Sequence, residues 1–273
     1  MLSFLPTPIG NLEDISYRAV RILKSAKIIF AEDTRIAKSL LSLLSQRLNI
    51  DFGEKTFISL HSHNEIEKLS TIDINLFDED TIYMSDAGMP AISDPGMHLI
   101  NYAQSNNIPY DVLPGANAVL TALVMSGMSD KNFYFHGFLP HKPKERIKEL
   151  KALLNRQEVI VLYESPHRLL QFAQELTLID PLTPLFLAKE LTKKFQSTFK
   201  GTAEEVLNLL QEATIKGEWV AVFKPLKSTN LPSNLLDIVA PLPLPPKEAA
   251  KLLAKLSQTK VKDCYEALST YNK

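Results

Sequence analysis

The sequence predicts an α/β fold. Short apolar runs of strand length alternate with helical apolar patterns through the first two thirds of the chain, and the runs end in loops crowded with Gly, Pro and charged side chains. The densest of these loops, residues 85–96 (SDAGMPAISDPG), holds two Gly, two Pro and two Asp in twelve positions. It follows the apolar run Thr81-Ile82-Tyr83-Met84, which reads as a buried strand. Met97, Leu99, Ile100 and Ala103 then recur at helical spacing. A stiff loop at the carboxyl end of a strand is where open α/β sheets bind ligands. Gly88 and Gly96 admit backbone angles closed to other residues, Pro90 and Pro95 stiffen the path, and Asp86 and Asp94 offer hydrogen-bond acceptors.

The remaining elements follow in order. Residues 2–5 form a strand, and Pro6-Thr7-Pro8-Ile9-Gly10-Asn11 turns it into a stiff loop with Gly10 at the tight point. No GxGxxG fingerprint and no Walker phosphate loop occurs. Asp14 is expected to cap a helix burying Ile15, Ala19, Ile22 and Leu23. Strand 28–30 delivers Ala31-Glu32-Asp33-Thr34-Arg35, three charged groups directly after a buried run. Strand 56–60 precedes His61 and His63. Strand 110–113 ends in Pro114-Gly115-Ala116-Asn117, and Ala118, Thr121, Ala122 and Ser126 line the next helix. Such small residues suit a close ligand or tight packing. Strand 133–138 is aromatic, and strand 159–163 runs into Glu164-Ser165-Pro166-His167-Arg168. Strand 185–188 runs into Lys189-Glu190-Leu191-Thr192-Lys193-Lys194. Thr202 and Glu205 form a capping box, and 219–223 is the last strand.

Composition shifts after residue 228, where Pro232, Pro241, Pro243, Pro245 and Pro246 predict an extended linker. Two helices follow, 247–256 and 260–271, compatible with a helix-turn-helix unit. The expected division is therefore 1–115 and 116–226 as two α/β domains, 227–245 as linker and 246–273 as helical tail. A cleft between the two domains would gather the polar strand-end loops.

Bulk properties narrow the function. The chain has 273 residues, 45% hydrophobic, with a formal net charge of −1. A broadly basic nucleic-acid coat is thus excluded, and any RNA contact must come from a local patch. Lys131, Lys142, Lys144, Arg146, Lys148 and Lys151 outnumber Glu145 and Glu149 beside the aromatic strand. That pairing suits single-stranded RNA or, more simply, a solvated helix face. The lone Cys264 supports neither a disulfide framework nor a Cys-based zinc site, and His61 with His63 is too small a donor set, so no metal is expected. No apolar run reaches membrane-span length and no basic leader precedes the first strand, so a cytoplasmic location is expected.

Taken together, the motifs at residues 6–11, 31–35, 85–96, 163–168 and 190–193 resemble the ribosomal RNA small subunit methyltransferase I family of the tetrapyrrole methylase superfamily. They fall in order, and the C-terminal helix pair is similar to that family's tail. The resemblance implies S-adenosylmethionine bound between two α/β domains, and methylation of a cytidine ribose 2′-hydroxyl in the decoding region of 16S rRNA, in the small ribosomal subunit, by a homodimer. It implies a cofactor site shaped by Pro8, Gly10, Asp86, Ala87, Gly88, Pro90, Ile92, Asn117, Ala118, Tyr163 and Ala188. Here Ala116-Asn117 replaces the usual Pro-Ser, Met89 a usual Thr and Gln196 a usual Glu. Near the ribose the expected catalytic groups are Glu164, Lys189, Glu190 and Arg35. Glu164 or Lys189 would accept the proton, and Arg35 or Arg168 would hold a phosphate. Lys142, Lys144 and Arg146 would, with Arg168, contact RNA. Rival readings are a relative acting on a tetrapyrrole or protein substrate, and a ribosome-assembly factor that holds the cofactor without turnover.

Overall fold

A computed structural model describes residues 1–128, 131–226, 233–257 and 260–271. The first half comprises β1 (Leu2–Phe4), α1 (Tyr17–Ser25), β2 (Ile28–Ala31), α2 (Thr34–Leu48), β3 (Thr56–Ser59), α3 (Glu65–Thr71), β4 (Thr81–Met84), α4 (Met97–Ser105) and β5 (Tyr110–Val112). Its strands form one sheet in the order β3-β2-β4-β1-β5, and every pairing is parallel. Strand periodicity sends alternate residues to opposite faces. Ile29, Ala31, Ile82 and Met84 therefore pack with Leu23, Leu41 and Leu44 of α1 and α2. Ile28, Phe30 and Tyr83 pack with Leu69, Leu99 and Ala103 of α3 and α4. Parallel pairing also brings every strand's carboxyl end to one edge, and with it each polar loop.

The second half comprises α5 (Ala118–Ser126), β6 (Phe133–Phe138), α6 (Pro143–Leu154), β7 (Val159–Glu164), α7 (Leu169–Ile179), β8 (Pro184–Lys189), β9 (Ser197–Thr202), α8 (Ala203–Gln211) and β10 (Trp219–Phe223). Its sheet runs β6-β7-β10-β8-β9, with only β6 and β7 parallel. One face carries Val161, Phe186, Ala188, Val220 and Val222 against α5. The other carries Ile160, Leu162, Leu187, Trp219 and Ala221 against α7 and α8. The tail, α9 (Ser233–Val239), α10 (Pro246–Ser257) and α11 (Val261–Tyr271), closes on its own small core of Val239, Ala250, Leu253, Cys264 and Leu268.

Three local expectations are corrected. Asp14 lies in a short 3-10 turn, and α1 is capped instead by Ser16, whose hydroxyl accepts the Ala19 N–H at 3.1 Å. The segment expected as extended linker contains α9, because Leu235, Leu236 and Val239 have the tail core to bury into. Its residues 227–232 lie outside the described residues, as do 258–259 of the tail turn. β9 gives no apolar run in the sequence: it is an edge strand that starts by alternating half-buried and exposed residues, and Phe199 is its one large apolar side chain on the core. The capping box at Thr202 and Glu205 is present.

The loop 85–96 is held in a costly conformation. Ala91 and Ser93 both take positive φ, 64° and 63°, and Gly96 sits at 123°. Glu65, itself buried, ties the loop's end to α4 by accepting the Gly96 and Leu99 N–H groups at 3.1 and 3.0 Å. A Cβ on Gly96 would stand 2.7 Å from the Tyr83 ring. Gly96→Ala is expected to lower unfolding free energy by about 1–3 kcal/mol, read as a reduced urea midpoint; an unchanged midpoint would show that the loop has room to adjust.

Candidate functional site

The loop edge of the first sheet faces the second half across a close seam. Gly10 packs so tightly on residues 191–193 that a Cβ there would lie 2.7 Å from Thr192 Oγ1, and the Asn11 N–H donates to that oxygen at 2.9 Å. Thr7 and Gly88 exchange both backbone hydrogen bonds at 3.0 Å, fixing the first loop to the loop 85–96. Between the halves lies a cavity of about 510 Å³, within the range of small-molecule sites. Ile9, Ala118, Ala188, Leu191 and Val220 give it an apolar floor, and Phe138 and Tyr163 stand at one wall.

Eight of the expected cofactor residues line this cavity: Asp86, Ala87, Gly88, Ile92, Asn117, Ala118, Tyr163 and Ala188. Pro8, Gly10 and Pro90 do not, and Gly10 serves the seam instead. Asn117 takes over a capping role, its side chain accepting the Leu120 N–H at 3.0 Å at the start of α5. Gln196 likewise braces its own loop, accepting the Thr192 N–H at 2.6 Å.

The expected catalytic set is mostly redistributed. Lys189 is outside the cavity; its ammonium donates to the Thr214 carbonyl at 2.7 Å. Strand alternation is the reason. Ala188 pairs with Val220 and faces the cavity, so Lys189, paired with Trp219, projects to the opposite face. Glu190 is also outside. It accepts from Lys193 and from the Glu218 N–H, both at 2.9 Å. Arg35 is almost fully exposed and forked onto Asp33. Glu164 does line the cavity but is buried, accepting the Ser165 N–H at 2.7 Å and pairing with Arg168 at 2.8 Å. Burial pushes its pKa up against those partners.

Two of the expected RNA contacts are corrected outright. Arg146 is 1% exposed and makes a two-pronged pair with Glu175 at 2.7 Å for each nitrogen. Arg168 is spent on Glu164 and on the Leu139 carbonyl. A helix face that reads as basic in one dimension carries Arg146 on its inner side, with Leu150 and Leu153. Lys142 and Lys144 are exposed, Lys142 beside Glu145 at 3.3 Å.

The structure adds two carboxylates that were not expected at the site, Glu32 and Glu218, and brings them to the cavity beside Asp94, an acceptor expected of the loop 85–96. Glu32 and Asp94 sat within motifs already noted; Glu218 had no signal beyond preceding a strand. Asp94 is pushed up to about 7, by burial first and then by the charge of Glu32. Burial likewise raises Glu32 and Asp86, with the neighbouring carboxylates adding to the shift. The Tyr163 hydroxyl is pushed up to about 12, again by burial first. Among the lining residues stand five carboxylates, from Glu32, Asp86, Asp94, Glu164 and Glu218, and no Lys, Arg or His. The cavity therefore favours a cationic ligand and repels phosphate. Glu164 Oε2 and Trp219 Nε1 are buried without a hydrogen-bond partner; the two residues pair across β7 and β10, and the Trp219 ring packs on the sheet face turned to α7 and α8. No group of three or more His, Cys, Asp or Glu able to hold a metal occurs among the described residues.

Two α/β sheets with a carboxylate-lined cavity between them define a two-domain α/β protein with a small-molecule site. The family model "Tetrapyrrole (Corrin/Porphyrin) Methylases" matches residues 1–207. Solved structures of similar fold include cobalt precorrin-4 methyltransferase, at TM-score 0.59 and 13% identity over 82% of this chain and 94% of that one. Another is a Thermus thermophilus uroporphyrin-III C-methyltransferase complexed with S-adenosylhomocysteine, at TM-score 0.53 and 16% identity over 81% of this chain and 96% of that one. Two curated relatives, both called ribosomal RNA small subunit methyltransferase I, are far more similar in sequence. That of Campylobacter fetus is 43% identical over 99% of this chain and all of its own length. That of Helicobacter pylori strain 26695 is 45% identical over 97% of this chain and 96% of its own. The chain belongs to the tetrapyrrole methylase family, in its ribosomal RNA small subunit methyltransferase I group. It is a methyltransferase, and its cofactor is S-adenosylmethionine, whose sulfonium and ammonium charges fit the anionic lining.

Proposed function

We propose that this protein methylates the ribose 2′-hydroxyl of a cytidine in the decoding region of 16S rRNA, acting in the cytoplasm as a homodimer. The end-to-end similarity to the Campylobacter fetus ribosomal RNA methyltransferase carries the choice of an rRNA substrate. The exposed apolar side chains Leu120 and Val124 on α5 support self-association.

S-adenosylmethionine supplies an electrophilic methyl group, so the protein's tasks are alignment and proton removal. Asp86, Ala87, Gly88 and the start of α5 at Asn117 and Ala118 would hold the cofactor, with Ala188 and Tyr163 on the facing sheet. We assign proton acceptance to Asp94 rather than to Glu164 or Lys189. Asp94 lines the cavity, is only partly buried, and has a pKa near neutrality, where a general base works best. Glu164 is committed to Arg168 and serves to hold the loop after β7. Arg35 at the exposed start of α2, with Lys142 and Lys144, would meet RNA phosphates outside the anionic cavity.

The test is transfer of labelled methyl from S-adenosylmethionine to small subunits lacking the modification, with naked rRNA alongside, followed by mapping. Label on one cytidine ribose supports the reading. Tight cofactor binding with no label on RNA would move the substrate elsewhere in the superfamily.

A further inference from the structure

The tail carries a feature that the methylase cavity does not use. On α10, Lys247, Lys251 and Lys255 recur every fourth residue and are all exposed. Residues four apart share a helix face and stand about 6 Å apart along the axis, so the three ammonium groups form one stripe. The opposite side of α10, Ala249, Ala250, Leu253 and Ala254, is the part buried in the tail core. Lys260 and Lys262 extend the positive charge to the start of α11, and both are exposed. None of these five lysines has an ion-pair partner among the described residues.

The rest of the molecule sharpens the need for such a surface. The charged side chains that line the cavity are all acidic, and Arg146 and Arg168 are neutralised internally by Glu175 and Glu164. An RNA approaching the site meets repulsion at the mouth, so attraction has to be supplied elsewhere. A membrane surface is a poor occupant, because the apolar face of α10 that would enter the lipid boundary is already packed in the tail.

We propose that the α10 lysine stripe, continued by Lys260 and Lys262, is a docking surface for the phosphate backbone of the RNA substrate. It would hold the RNA without reading its sequence, since phosphate contacts position and do not specify. The proposal rests on the RNA-substrate reading.

The experiment compares the full chain with the triple variant Lys247→Gln/Lys251→Gln/Lys255→Gln. Gln keeps helix propensity, and the sites are exposed, so the tail stays folded. A charge-matched control is Arg21→Gln/Lys24→Gln/Lys216→Gln, at exposed positions on the body. Binding of an rRNA fragment and of small subunits is followed between about 50 and 200 mM salt. The stripe variant is expected to flatten the log–log salt slope by about two to three, with roughly 0.7–0.9 lost per phosphate contact. KM for RNA rises, while kcat at saturating RNA and cofactor affinity hold. An unchanged slope and KM would overturn the proposal, and so would an equal change in the control, which would mark a general charge effect. Preference of the wild-type chain for anionic vesicles over RNA would overturn it as well. Failure of the RNA-substrate reading is separate, since it shows as absence of RNA methylation by the wild-type chain itself.

Discussion

Asp94→Asn is expected to lower kcat for methyl transfer by about 10²–10⁴-fold, the usual contribution of a general base, while cofactor affinity changes far less. The pH dependence identifies the group. Asp94 in the folded chain titrates at about 7, well above the ordinary 3.8, so kcat should rise as pH increases through 7 and level off above it. The Asn variant should lose that rising limb. Stability moves the other way. Because the folded chain holds the Asp94 proton more tightly than the unfolded chain, this group's contribution is full below the ordinary 3.8 and is lost as pH rises through about 7. At pH 8 the ionised carboxylate sits near Glu32, Asp86 and Glu218, and removing its charge should raise Tm. A variant of unchanged kcat would overturn the assignment of proton acceptance to Asp94.

The second large effect is structural. Arg146→Ala should cost about 3–5 kcal/mol of stability, because it strands Glu175 as an unpaired buried carboxylate. Urea unfolding measures this directly. The double change Arg146→Met/Glu175→Leu removes both charges and is expected to recover most of the loss, since apolar replacement of a buried pair is often neutral or stabilising. The recovered double variant should bind RNA with the wild-type salt slope. A flattened slope would mean that Arg146 does leave Glu175 to contact phosphate. The same pair has a positioning consequence: Arg146 also donates to the His141 carbonyl at 2.9 Å, and Arg168 to that of Leu139 at 3.1 Å. Together they brace the segment after β6, whose last residue, Phe138, stands at the cavity wall.

The strand-end loops were legible in sequence because each is a sharp local event, an apolar run broken by Gly, Pro and charge. Loop 85–96 could be read as a ligand loop from its composition, and seven of its members, Asp86 to Met89 and Ile92 to Asp94, do line the cavity. Polarity at a strand end says less about which side chain points inward. Glu164, Lys189 and Glu190 look equivalent in one dimension, yet Glu164 alone reaches the cavity. The alternation of β8 in principle carried the answer for Lys189, since Ala188 and Lys189 cannot face the same side. Which side holds the cavity depends on where α5 packs, and α5 comes from the stretch that follows the first sheet.

The sequence by itself determined the α/β alternation, the loops that end the strands, the capping box at Thr202 and the helical tail, since all of these rest on periodicity and turn chemistry within a few residues. Only the tertiary structure decided the charge of the site. Glu32, Asp94 and Glu218 lie far apart along the chain and become one anionic wall only when the parallel sheet turns its loops toward the second sheet. Burial then gives Asp94 a titration that its composition cannot show, because desolvation and the field of distant carboxylates exist only in the packed molecule.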